Sequence, residues 1–117
     1  MLNQVVLVGR ITREPELKEL EDGKKVSNIT LAVPRSYKNA DGIYETDFID
    51  CTLWNDIANN LFEYCKKGDM VGVRGSLRTD NYEKEGKLMT KLNLFAERVT
   101  FLSSREKSEK VQTAEAR

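Results

Sequence analysis

The chain has 117 residues, 39% of them apolar and 32% charged, with 19 basic residues, 19 acidic residues and no histidine. Such a length and apolar share suit one domain with a single modest core plus a tail, while the balanced charge gives no overall field for a polyanion and leaves any basic surface to local arrangement. Missing histidine excludes imidazole acid–base catalysis and His-ligated metal. Two cysteines, no leader-like segment and no apolar run of roughly 18 residues argue against a disulfide scaffold and a membrane span, so a cytoplasmic protein with reduced thiols is expected.

The first strand is expected within Asn3 to Arg13, where Val5, Val6, Leu7 and Val8 are apolar at consecutive positions, a pattern that calls for cover on both faces. One face belongs to a barrel and the other is available to a second subunit. Gly9 marks a bulge or close backbone approach, and Pro15 closes the segment. Glu14 to Asp22 holds five acids and ends in the turn pair Asp22-Gly23. A second strand follows over Lys25 to Val33, with Ile29, Leu31 and Val33 on one parity and Asn28 and Thr30 on the other. Tyr37 to Tyr44, containing Asn39-Ala-Asp-Gly42, reads as an exposed loop, and a third strand runs from Thr46 to Trp54.

Asn55 or Asp56 is placed to cap a helix whose apolar residues Ile57, Ala58, Leu61, Phe62 and Cys65 recur at spacings of three and four. Lys66 and Lys67 suit its last turn and Gly68 its left-handed stop. A fourth strand carries Val71, Val73 and Leu77 on one parity, and Glu85-Gly86 turns the chain into a fifth over Leu88 to Leu102. Three strands, one helix and two strands in about 100 residues fit the OB-fold, a five-stranded Greek-key barrel with its helix between the third and fourth strands. An open sheet with one helix is the alternative. The domain therefore spans residues 1–102, and 103–117, with Val111 as the only large apolar side chain, read as a disordered polar tail.

Parity on the third strand assigns Ile49, Cys51 and Leu53 to the core and Phe48, Asp50, Thr52 and Trp54 to the wetter face. Two large rings beside an acid and a hydroxyl need a reason to be there. Stacking of nucleic-acid bases supplies one, because each stacked base contributes about 1–3 kcal/mol without requiring a sequence match. On the fourth strand Arg74, Ser76, Arg78, Asp80 and Tyr82 share the parity opposite the core residues, and the loop residues Arg35, Tyr37 and Lys38 repeat the mixture of cation and ring. Burial of the rings under a loop, and arginines that merely face solvent, are the plain alternatives for each cluster taken singly.

With Asn3-Gln-Val-Val-Leu-Val-Gly9, Asn28-Ile-Thr-Leu-Ala32, Tyr64-Cys-Lys-Lys-Gly68 and Gly75-Ser-Leu-Arg-Thr79, the chain resembles the bacterial single-stranded-DNA-binding protein family over residues 1 to 102. The resemblance implies an OB-fold homotetramer wrapped by single-stranded DNA, a nucleoid-associated role in replication, recombination or repair, no cofactor and no catalysis. It also implies that Tyr37, Phe48, Trp54 and Tyr82 stack bases; Arg35, Lys38, Lys66, Lys67, Arg74 and Arg78 are the candidates for phosphate contact, Arg78 and the Lys66-Lys67 pair matching basic positions of the family most directly. Gln4, Asp50, Asp56, Asp80 and Asn81 stand where well-known members carry basic residues, so fewer ion pairs and a shallow salt dependence are expected. Full-length members end in an acidic, Pro-Phe-tipped tail, whereas this chain closes Val111-Gln-Thr-Ala-Glu-Ala-Arg117. A short tail-less form, a phage-encoded relative or a truncated chain would each end so, and recruitment of partners through such a tip is not expected.

Three rival readings remain at this level. Another OB module, for RNA or for replication restart, could use the same rings. A small nuclease could hold magnesium with Asp47, Asp50 and Asp56, although acids at that spacing are usually solvated surface. A purely structural oligomer accounts for the first strand but not for the rings on the wet face. Cys51 and Cys65 fall on core positions and are expected to behave as small hydrophobes.

Overall fold

A computed structural model describes residues 1–103. Beyond Ser103, the expected tail lies outside the described residues. The elements are β1 (Val5–Ile11), β2 (Lys18–Glu19), β3 (Lys25–Lys38), β4 (Tyr44–Trp54), α1 (Asn55–Tyr64), β5 (Met70–Lys84) and β6 (Lys87–Ser103). The sheet runs β1-β5-β6-β4-β3-β2 and closes through Arg10 and Ile11 of β1 against Ala32 and Leu31 of β3. It is the closed OB-fold barrel, with β2 as a short addition on the β3 edge. Because β2 takes a number, the helix falls between the fourth and fifth strands in chain order, although the five barrel strands follow the expected order.

Period-2 alternation builds the core. Ser27, Ile29 and Leu31 of β3, Cys51 and Leu53 of β4, Val71 and Val73 of β5, and Leu94 and Ala96 of β6 are buried, and α1 seats Ala58 and Leu61 among them. Gly9 permits the closure, since a Cβ there would lie 2.8 Å from the Ala32 carbonyl oxygen. On β1, Val5 and Leu7 pack on the core, whereas Val6 and Val8 are 69% and 48% exposed, so the outer apolar face of this strand has no cover among the described residues.

Strand β6 does not keep one parity. Arg74 pairs with Arg98 but Gly75 with Ala96, leaving Glu97 as an extra residue. Leu94 and Ala96 face the core before this bulge, and Val99 and Phe101 pack against it afterwards. Gly75 sits at the shift, where an added Cβ would run into the Phe95 carbonyl.

Two hairpins are longer than the sequence suggests. Strands β3 and β4 continue to the pair Lys38 and Tyr44, so Tyr37, Lys38 and Tyr44 of the expected loop are strand and the turn is confined to residues 39–43. There the Asn39 side-chain oxygen accepts the amides of Asp41 and Ile43. Between β5 and β6, Glu85 and Gly86 have φ of 52° and 77°, the two-residue hairpin turn expected of that pair.

The ends of α1 also differ from expectation. Trp54 occupies the cap position without a side-chain hydrogen bond, and the Asn55 side chain instead accepts the Lys25 amide at 3.2 Å. The helix stops at Tyr64 because Cys65 turns extended and is buried, so Lys66 and Lys67 lie beyond the last turn. Gly68, at φ 94°, makes the left-handed step in the loop that follows.

Candidate nucleic-acid interface

Strand β4 sets the centre of the site. Its wet-face residues Phe48, Asp50, Thr52 and Trp54 lie opposite Ala32, Thr30, Asn28 and Val26 of β3. Phe48 faces only the small Ala32 and keeps 66% of its surface exposed; Trp54 is half-buried. Between the rings the sheet is tied by polar groups. Thr30 Oγ1 donates to Asp50 Oδ1 at 2.8 Å, and Lys91 Nζ lies 3.2 Å from Asp50 Oδ2. These two partners hold the Asp50 carboxyl below the usual carboxylate range, the threonine bond having the larger effect. Thr52 Oγ1 donates to Asn28 Oδ1 at 3.0 Å and accepts from Asn93 Nδ2. A charged or polar side chain tied in this way stays upright beside a ring rather than folding over it.

The parallel pairing of β4 with β6 sets Thr52 beside Phe95, which on its other side pairs with Ser76 of β5. Phe95 thus lies on the wet face between two small hydroxyl residues. The guanidinium carbon of Arg78 sits 3.7 Å from its ring centroid, a close cation–π stack. Farther along β5, Tyr82 is 44% exposed opposite Met89. Beside Phe48 the mouth of the barrel opens as a cleft of about 350 Å³, walled by Val5, Leu7, Leu77 and Leu92 and edged by Asp50 and Asn93. Leu77, assigned to the core by parity, is in fact 38% exposed at this mouth, because β5 has by then run past the core.

The remaining predicted residues are spread more widely. Tyr37, 64% exposed, and Lys38, whose ammonium lies 5.6 Å from the Tyr44 ring centroid, stand on the β3–β4 arm. Arg35 forms a two-pronged pair with Asp47, at 3.1 and 3.0 Å, and a longer contact to Glu45 at 3.5 Å. The bonds it donates to Asp47 drive the guanidinium further from deprotonation, and the same bonds lower the Asp47 carboxyl. Its charge is therefore largely answered within the arm. Lys66 and Lys67 lie in the loop that bonds back toward β1, the Lys67 amide reaching Glu14 at 3.3 Å and the Gly68 amide reaching Ile11 at 2.8 Å. Arg74 stands between Val6 and Arg98, also on the β1 side. The structure thus gathers Phe48, Trp54, Arg78 and Tyr82 on one continuous face, sets Tyr37 and Lys38 on an arm, and leaves Lys66, Lys67 and Arg74 near β1.

Sequence reasoning missed Phe95, Lys91 and the apolar wall of Leu92. The bulge at Glu97 is the reason, because no single alternation assigns faces to β6. The acids considered for magnesium do not converge: Asp47 serves Arg35 and Asp50 serves Lys91, and no group of three or more potential ligands forms a metal site among the described residues. Cys51 and Cys65 are buried free thiols, and burial pushes both up to about 12.

A closed barrel with exposed rings on one sheet face is matched by the model of the Single-strand binding protein family over residues 2–102. The chain belongs to this family. Among its relatives, Single-stranded DNA-binding protein B of Bacillus subtilis is 51% identical over 85 residues, covering 73% of this chain and 75% of that protein. The Single-stranded DNA-binding protein of Oceanobacillus iheyensis is 45% identical over 90% of this chain and 66% of its own length, and that of Halalkalibacterium halodurans 46% identical over 90% and 63%. The chain thus spans about two thirds of the length of these last two relatives. In this single-strand binding family member, Asp50 has its own cation in Lys91, so the acid adds no uncompensated negative charge to the face.

Proposed function

We propose that the chain binds single-stranded DNA without catalysis and largely without regard to sequence, protecting it during replication, recombination or repair. The observation that carries this reading is Phe48, a phenyl ring two-thirds exposed on a strand whose alternate residues Cys51 and Leu53 are fully buried. With Trp54 and Tyr82 on the same face and Tyr37 on the adjoining arm, four rings offer π-faces to successive bases. Lys38, Lys66, Lys67 and Arg74 are the phosphate partners, with Arg35 contributing least because Asp47 already holds it, while Arg78 stands over the Phe95 ring. The cations are few and dispersed, which fits a stacking-heavy interaction of shallow salt dependence.

Exposed Val6 and Val8 support assembly through β1, and a homotetramer in the cytoplasm, associated with the nucleoid, completes the proposal. Among the described residues no helix is long and apolar enough to cross a membrane. Fluorescence anisotropy with a labelled single strand and with its duplex of equal length tests the function. Tight binding to the single strand and weak binding to the duplex is the expected result; equal affinity for both would refute it. Light scattering tests the assembly, a stable monomer being the contrary outcome.

A further inference from the structure

We propose that Arg78 and Phe95 together form a fifth base-stacking platform, in which the guanidinium lies on the phenyl ring and offers its outer face to a nucleobase. This deepens the single-strand reading and rests on it. Three observations carry it. Phe95 falls on the wet face in register with Thr52 of β4 and Ser76 of β5, so it lies within the sheet face that also holds Trp54, Phe48 and Tyr82. The two flanking side chains are small, which leaves the space above the ring open to whatever Arg78 holds there. The Arg78 guanidinium carbon is 3.7 Å from the ring centroid, the spacing of two stacked planes.

A guanidinium is planar and delocalised, and its flat faces are weakly hydrated compared with its edges. Once one face is covered by Phe95, the other faces solvent at fixed height above the sheet and can stack on a base as an aromatic ring does. The arrangement also fixes a long side chain that would otherwise lose rotamer freedom on binding. Arg78 is engaged by the Phe95 ring, whereas Arg35 is held by the carboxylate of Asp47. In this position Arg78 acts chiefly on the base, and Phe95 acts as its positioning residue.

Arg78→Lys and Phe95→Leu, made in the full chain, test the platform. Lysine keeps the charge and binds phosphate as a point charge but has no plane to stack. Anisotropy titrations use oligothymidylate and an abasic oligonucleotide of the same length, with thermal melting by circular dichroism as the folding check. The expected result is roughly a tenfold loss of oligothymidylate affinity in each variant, with binding of the abasic strand unchanged in Arg78→Lys. Wild-type affinity of Arg78→Lys for oligothymidylate would overturn the platform in favour of a phosphate contact, as would equal losses on both strands. Should Phe95→Leu fail to fold, Arg78→Lys alone decides, because its side chain lies on the surface. Failure of the wild-type chain to bind either strand would instead refute the single-strand reading itself.

Discussion

Replacing Phe48 by alanine separates a binding role from a packing role more cleanly than any other substitution on the face. The ring is 66% exposed and its cross-strand partner is Ala32, so its removal deletes little buried surface. Surface substitutions of this kind change stability by about 0.5 kcal/mol or less. If a base stacks on the ring, the same substitution removes about 1–3 kcal/mol of binding, which is roughly a 5- to 150-fold rise in Kd at about 1.4 kcal/mol per tenfold. The two effects therefore differ severalfold on one scale. Anisotropy titration with labelled oligothymidylate gives the first, and thermal or urea unfolding gives the second. Unchanged affinity, or an affinity loss matched by an equal loss of stability, would refute the assignment of Phe48 to stacking.

Other substitutions test the frame and the charges. Gly75→Ala drives a Cβ into the Phe95 backbone at the β6 bulge, and a stability loss of about 1–3 kcal/mol or more is expected in urea unfolding; a wild-type transition would mean that the bulge is soft. Arg35→Gln is expected to change the slope of log affinity against log salt by well under the roughly 0.7 that one phosphate contact carries, since Asp47 and Glu45 already hold that charge. The thiols of Cys51 and Cys65 are expected to resist alkylation at pH 8 until the protein unfolds. Their pH linkage has a definite sign: the folded state keeps both protons up to about 12, whereas an unfolded thiol releases its proton near 8.5. This contribution is intact below about pH 8.5 and declines as pH rises beyond it. Denaturant midpoints that rise from pH 8 to 10 would contradict the assignment.

Much of the architecture was legible because period-2 alternation is unbroken over residues 26–34 of β3, residues 46–54 of β4 and the first half of β5. Ile29, Leu31, Cys51, Leu53, Val71 and Val73 are buried as that alternation requires. The rings on the wet face were legible for the same reason. What the pattern could not supply came from places where the backbone changes register or leaves the core. The extra residue Glu97 switches β6 from even to odd core positions, which hid Phe95. Leu77 kept its parity but ran beyond the barrel's filled interior. Hydrogen bonds across strands were equally invisible: Arg35 reads as a free cation until β3 and β4 are paired and Asp47 appears beside it. The helix caps differed because Asn55 bonds to Lys25, 30 residues away, and no local signal announces that contact.

The most direct test of base stacking on this face uses its own probe, because Trp54 is the only tryptophan in the chain. Titration with oligothymidylate, followed by Trp54 fluorescence, is expected to give strong, saturable quenching that persists when salt is raised. Saturated binding by anisotropy with no change in Trp54 emission would place the DNA elsewhere on the protein and contradict the account.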